Sequence, residues 1–322
     1  MPALVEFVAQ LPATLPAAIL VVQHFAPDAD GQHLVDWLAR HTALPCRLPT
    51  DGEVLQAGTL YLAPPDRHLL AKDGRVPHLL VTKGPRENHY RPAADTLFRS
   101  AAVAYGARTV GIVLTGMLHD GTAGLEFIKR CGGIAIVQDP GEAEFPSMPE
   151  SALLNVDVDY VVPLSQMAAL LDEITRAPAP PRQPLIPEDL KQEAAIAERV
   201  VGDTVAVDSI AHLVPLTCPD CGGNLWEVNA GKVLRYRCHT GHAYTADSLL
   251  HNSQQRLEET LWVALRMMEE RKNLLTGMAA RDEGTYSAQR EEKLDEIKKH
   301  INRLREFLLS GSSPTTVATP ED

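Results

Sequence analysis

The chain has 322 residues, 45% hydrophobic and 22% charged, a length and balance that predict two or three globular domains and exclude wholesale disorder. Forty-two acidic against thirty basic residues give a net charge of −12, which argues against nucleic acid as a partner. The longest apolar runs, such as Pro16–Val22, are strand-sized, so no membrane insertion is expected, and Met1–Gln10 lacks the basic start of a signal peptide.

Strand and helix patterns alternate through the first half. The continuous apolar run 18–23 predicts a strand buried on both faces of a parallel sheet, and 30–41 follows with helical spacing of Leu34, Trp37 and Leu38. Residues 59–63 predict a second strand ended by Pro64-Pro65. Residues 68–71 and 78–82 flank Asp73-Gly74 as a hairpin, and Pro92 sits at the first position of a helix over 92–105. Strands at 109–114, 134–138 and 160–162, with a helix at 121–130, complete an α/β pattern, which predicts a doubly wound, mostly parallel sheet over residues 1–175.

Beyond residue 175 the composition changes. A Pro-rich linker and short helix are expected over 176–216, a cysteine module over 217–244, a helical hairpin over 245–309 and a disordered tail over 310–322. Apolar residues Leu257, Leu261, Leu265 and Met268 share one face of the first C-terminal helix. Leu294, Ile297, Ile301, Leu304 and Leu308 form a short heptad-like seam on the second, with Gly284 in the connection. Trp262 and Met267 are assigned to the same hairpin core as Met268.

Five cysteines is an odd count, and three of them crowd into Cys218–Cys238, which points to reduced thiols on a metal in a cytoplasmic protein. Cys218, Cys221, Cys238 and His242 follow the spacing C-x2-C-x16-C-x3-H, two knuckles that present four ligands to one tetrahedral zinc. Four protein ligands leave no open position, so the zinc is structural. His239 is the rival fourth ligand, but it lies beside Cys238 and is poorly placed to share its ion. Residues 225–228 and 233–237 predict a hairpin between the knuckles, turning at 229–231. Cys46 and Cys131 are read as buried free thiols.

Polar chemistry concentrates at the ends of two predicted strands: Gln23-His24, and Thr115–Gly121 with His119 and Asp120. By themselves these positions equally describe a strand-end histidine and an acid capping its own helix. The order of Val21-Val-Gln-His24, Tyr61-Leu-Ala-Pro-Pro-Asp-Arg-His68, Arg91-Pro-Ala-Ala-Asp-Thr-Leu-Phe98, Leu114-Thr-Gly-Met117, Asp120-Gly121 and Phe145-Pro-Ser-Met-Pro149 resembles the catalytic domain of the CheB-type chemotaxis methylesterases over roughly residues 1–174. That resemblance implies a Ser-His-Asp hydrolase acting on glutamate γ-methyl esters, and in some members on glutamines, of chemoreceptor cytoplasmic helices. It needs no cofactor for catalysis. By that resemblance His24 is the general base, Asp120 the acid that orients it, and Met117 a backbone donor to the oxyanion.

The nucleophilic serine is missing. The family carries it in a Gly-Ala-Ser-x-Gly-Gly turn after the first strand, whereas here the helix that follows that turn starts at Met1 and the first serine is Ser100. Ser147 lies in a proline-bounded loop at a position the family does not use. The expectation is therefore an inactive 322-residue chain whose natural form starts upstream. The alternative is a scaffold derived from the family that binds receptor tails or a receptor methyltransferase without turnover. Ala93 and Leu118 replace the family's usual serine and glycine, and without a receiver segment ahead of residue 1 phosphorylation control is not carried over.

Overall fold

The computed structural model describes residues 2–178, 186–199, 207–208, 210–228, 231–279 and 287–310, in two compact units, Met1–Leu249 and Leu250–Asp322. Most of the Pro-rich linker, the turn at 229–230, Gly284 and the tail from 311 lie outside the described residues.

The first half alternates as its pattern predicts: α1 (Pro2–Ala9), β1 (Ile19–Val21), α2 (Gly31–Ala39), β2 (Cys46–Arg47), β3 (Leu60–Leu62), then the antiparallel hairpin β4 (His68–Lys72) and β5 (His78–Thr82). After these come α3 (Ala94–Tyr105), β6 (Val110–Val113), α4 (Thr122–Arg130), β7 (Ile134–Gln138), α5 (Ser147–Asn155), β8 (Tyr160–Val162) and α6 (Leu164–Arg176). The short strand β2 and helix α6 carried no sequence reading, and two details differ from it. Helix α3 starts at Ala94 rather than Pro92, and Ser147, expected in a loop, opens α5.

The larger difference is in the sheet. Instead of one continuous sheet there are two parallel three-stranded sheets, ordered β1-β3-β2 and β6-β7-β8. Among the described strands β1 pairs only with β3, and β6 only with β7, so each sheet ends in an unpaired edge. A common core nevertheless spans both. Leu4, Phe7 and Val8 of α1 and Met167 and Leu171 of α6 pack with Val21, Leu60 and Leu62 of the first sheet and Ile136 of the second. The apolar run that reads as a doubly buried strand accounts for this: both faces of β1 meet side chains, with Leu20 turned toward Tyr61, Leu69 and Leu97 on the other side.

Helix α7 (Glu188–Arg199) lies against the first domain, with Leu190 and Glu193 buried. A four-stranded antiparallel sheet follows: β9 (Ala211–Thr217), β10 (Asn224–Val228), β11 (Arg235–Cys238) and β12 (Ala243–Thr245). The β10–β11 pair matches the hairpin read from sequence, whereas β9 carried no signal strong enough to be recognised. Cys131 is buried, but Cys46 is only half-buried, its thiol directed to the Leu44 carbonyl at 3.4 Å.

The chain closes with two long helices, α8 (Ala246–Ala279) and α9 (Ser287–Ser310). Leu261, Leu265 and Met268 of α8 pack with Ile297, Ile301, Leu304 and Leu308 of α9, and Arg305 reaches Glu269 at 2.6 Å. Trp262 and Met267 are exposed, which corrects their assignment to that core, and Leu257 is exposed as well. A face of α8 wider than the α9 seam stays outside the pairing because a single partner helix covers only a narrow stripe.

Candidate active site and cysteine cluster

His24 follows β1 and Asp120 follows β6, so the parallel strand direction brings both to the same end of the two sheets. Their side chains meet: His24 Nε2 lies 3.1 Å from Asp120 Oδ2, with Asp120 completely buried. The other ring nitrogen, Nδ1, is buried and has no hydrogen-bond partner among the described residues. Tyr90 stacks on the imidazole with ring centroids 3.8 Å apart and planes within 17°.

Asp120 does act as a helix cap, but not of its own helix. Its Oδ2 accepts from the Ala94 N–H at 2.6 Å and its Oδ1 from the Asp95 N–H at 3.2 Å, the first turn of α3. Helix α4 is capped instead by Gly121 with no side-chain bond. Asp95 returns the contact, its Oδ1 accepting from the Gly121 and Gly124 N–H groups at 3.0 and 2.6 Å. Two buried carboxylates thus tie the starts of two helices together. Burial first, then the Asp120 charge, pushes the Asp95 carboxyl up to about 7.

Met117 is 60% exposed at the mouth of the same site. The preceding loop is held by Thr115 N–H donating to Gln138 Oε1 at 2.8 Å and by Gly116 N–H donating to the Phe145 carbonyl. Leu118 adopts φ +68°, a left-handed conformation that disfavours a leucine. Ser147 Oγ donates to the Gly116 carbonyl and accepts from the Leu118 N–H, so this hydroxyl braces the loop. Ser100 is buried, its hydroxyl donating to the Leu97 carbonyl and accepting from the Ala71 N–H.

A cavity of about 530 Å³ runs from His24, Tyr90 and Met117 along β1 and β6, between the two unpaired sheet edges. A second, of about 770 Å³, continues along the same gap to Ala17, Leu20, Val110 and Ile134. Most of the lining side chains are apolar, with Arg108 and Thr175 lining both cavities and Glu144 and Glu173 one each.

The cysteine cluster stands on the antiparallel sheet. One ligand atom each from Cys218, Cys221, Cys238 and His242 lies within 4.8 Å of all the others. Cys221 and Cys238 sulfurs are 3.8 Å apart, and His242 Nδ1 lies 3.8 and 3.5 Å from Cys218 and Cys238. A tetrahedral ion with sulfur ligands at about 2.3 Å separates its ligand atoms by roughly 3.7 Å, so this donor set fits such an ion. The Cys238 thiol is pulled below its usual range, first by the hydrogen bond from Cys218 and further by His242 and Thr240, against the effect of burial. His239 stays outside the group, its ring against Trp226.

Sequence reading missed Glu87, Asn88, Tyr90 and Asp95. Asp95 was visible only within a motif, and Glu87–Tyr90 has no periodicity to mark it. In the structure Glu87 is buried between Arg99 and Arg237.

Residues 1–171 match the family model for the CheB methylesterase domain. A protein-glutamate methylesterase/protein-glutamine glutaminase of Paramagnetospirillum magneticum is 38% identical over 175 residues, covering 54% of this chain and 48% of the relative. A putative enzyme of the same name from Leptospira interrogans is 36% identical over 163 residues, covering 50% of this chain and 81% of the relative. The chain spans about half the length of the first curated relatives it matches. The catalytic domain of the Thermotoga maritima CheB methylesterase superimposes with a TM-score of 0.52 at 33% identity, covering 54% of this chain and 92% of that one.

Proposed function

Because the chain belongs to the CheB methylesterase family, we propose that it is the base-and-acid part of a protein-glutamate methylesterase that hydrolyses glutamate γ-methyl esters, and deamidates glutamines, on chemoreceptor cytoplasmic helices. The carrying observation is the His24–Asp120 contact at the end of an open slot along β1 and β6, with one imidazole nitrogen unpartnered among the described residues.

In this reading Asp120 holds Nε2, and Nδ1 takes the proton of a serine hydroxyl as its oxygen attacks the γ-carbonyl carbon. The Met117 N–H donates to the oxyanion that results. His24 then gives the proton to departing methanol, and on the second half-reaction it takes one from the water that cleaves the acyl-enzyme. The serine arrives on an extended strand lying between β1 and β6, where its backbone satisfies both open edges. The cysteine cluster holds zinc as a structural ion, with Cys218, Cys221, Cys238 and His242 as its ligands, and takes no part in the ester chemistry.

The test is reconstitution. A longer chain with a strand and a Gly-Ala-Ser-x-Gly-Gly turn ahead of residue 1 should release methanol from glutamyl methyl esters of receptor helices, and residues 1–322 alone should not. His24→Ala in the longer chain should cost about 10⁴-fold or more in turnover. Turnover indifferent to His24→Ala would refute the assignment.

A further inference from the structure

Between the cysteine cluster and the His24–Asp120 pair lies a single loop, Glu87–Tyr90, bonded to both. On the cluster side, Asn88 N–H donates to the Ala243 carbonyl at 2.9 Å, and Asn88 Oδ1 accepts from the Thr245 N–H at 3.0 Å. Ala243 is the residue after the ligand His242, so strand β12 carries the cluster directly onto the loop. Tyr244 adds a second connection. Its hydroxyl donates to Asp220 at 2.6 Å and lies 3.4 Å from the Cys218 sulfur, while the His89 ring faces both Tyr244 and Asp220.

On the other side, the Asn88 amide donates to Asp95 Oδ2 at 2.7 Å and reaches Asp120 Oδ1 at 3.4 Å. Two residues later Tyr90 stacks on His24. Asn88 itself is 3% exposed with φ +49°, a backbone that asparagine tolerates better than most residues. Asp95 and Asp120 repel one another in a site shielded from water, and the Asn88 amide is the neutral donor that bridges them.

We propose that the Cys218–Cys221–Cys238–His242 module, loaded with metal, positions the His24–Asp120 pair through this loop, with Asn88 as the positioning residue. The proposal rests on the reading of His24 and Asp120 as base and acid. Losing the Asn88 amide frees Asp120 to turn from His24 and from the first turn of α3. Losing the metal loosens β12 and removes the two anchors that hold Asn88 in its left-handed conformation.

The experiment uses nuclear magnetic resonance on the zinc-loaded 322-residue chain. It follows the His24 ring nitrogen signals, which report the imidazole–carboxylate bond, and amide exchange at Ala94, which reports the Asp120 bond to α3. In Asn88→Ala, still carrying zinc, the His24 signals should shift and broaden, and Ala94 protection should fall about tenfold, the loss of roughly one hydrogen bond. Removal of zinc from the wild-type chain by a chelator should do the same, with Ile136 and Val137 amides in the buried strand β7 still protected. Unchanged His24 signals and Ala94 exchange in either case would overturn the coupling. The readout needs no nucleophile and no turnover, so it succeeds or fails separately from the reconstituted esterase.

Discussion

Replacing Glu87 by glutamine tests how the cysteine module is held to the esterase domain. The Glu87 side chain is 4% exposed and faces two cations from different parts of the chain, Arg99 of α3 and Arg237 of β11. Arg99 Nη1 is 3.0 Å and Arg237 Nη2 3.3 Å from Glu87 Oε1. At an effective dielectric constant near 20, an ion pair at such a separation is worth about 5 kcal/mol before desolvation, which offsets much of it. Burial raises the carboxyl pKa, yet the two arginines overcome it and hold the group down at about 2 against an ordinary 4.5. That difference corresponds to roughly 3 kcal/mol of stability, close to the ~3–5 kcal/mol cost of removing one partner from a buried pair. Glu87→Gln, isosteric but uncharged, should therefore cost about 3 kcal/mol at pH 7 and leave both arginines buried without their anion. Urea unfolding followed by circular dichroism measures the loss, and limited proteolysis should show the module cleaved first. Because the folded carboxyl is the stronger acid, this stability is fully present above about pH 4.5 and is lost as pH falls toward 2. The gap between wild type and variant should narrow over that interval. A cost below about 1 kcal/mol at pH 7, or a gap that persists undiminished at low pH, would refute the ion-pair account.

Two further outcomes follow from the packing and the cluster. Purified protein should carry about one zinc per chain by elemental analysis, and Cys221→Ala should lose it together with the protection of strands β10 and β11, since ligation and folding are coupled in small metal modules. Gly124→Ala should destabilise the esterase domain by about 1–3 kcal/mol in the same unfolding assay. Its new methyl would lie 2.6 Å from Phe98 Cβ and 2.9 Å from Asp95 Cα, forcing α3 and α4 apart at the carboxylate that binds Gly121 and Gly124.

Much of the site was legible in one dimension because its determinants are local or repeated. The continuous apolar run that became β1 announces a doubly buried strand by composition. The two knuckles around Cys218 and Cys238 bring their side chains within reach of one another through a few residues of turn. Even the pairing of His24 with Asp120, distant in sequence, follows once each is placed after a parallel strand, since strand direction decides which edge both reach. Tertiary structure alone decided the rest. Asp120 caps α3 rather than α4, a choice no spacing encodes, because the acceptor and its N–H donors belong to separate segments. The division of the sheet into two halves depends on which edges find partners, and a single strand's sequence carries no record of that. The same holds for Glu87 and Asn88, ordinary polar residues in a loop whose importance arises from Arg99, Arg237 and Thr245 closing around them. Hydrophobic periodicity reports which side of an element is buried, whereas a buried charge or amide is defined by partners that only folding assembles.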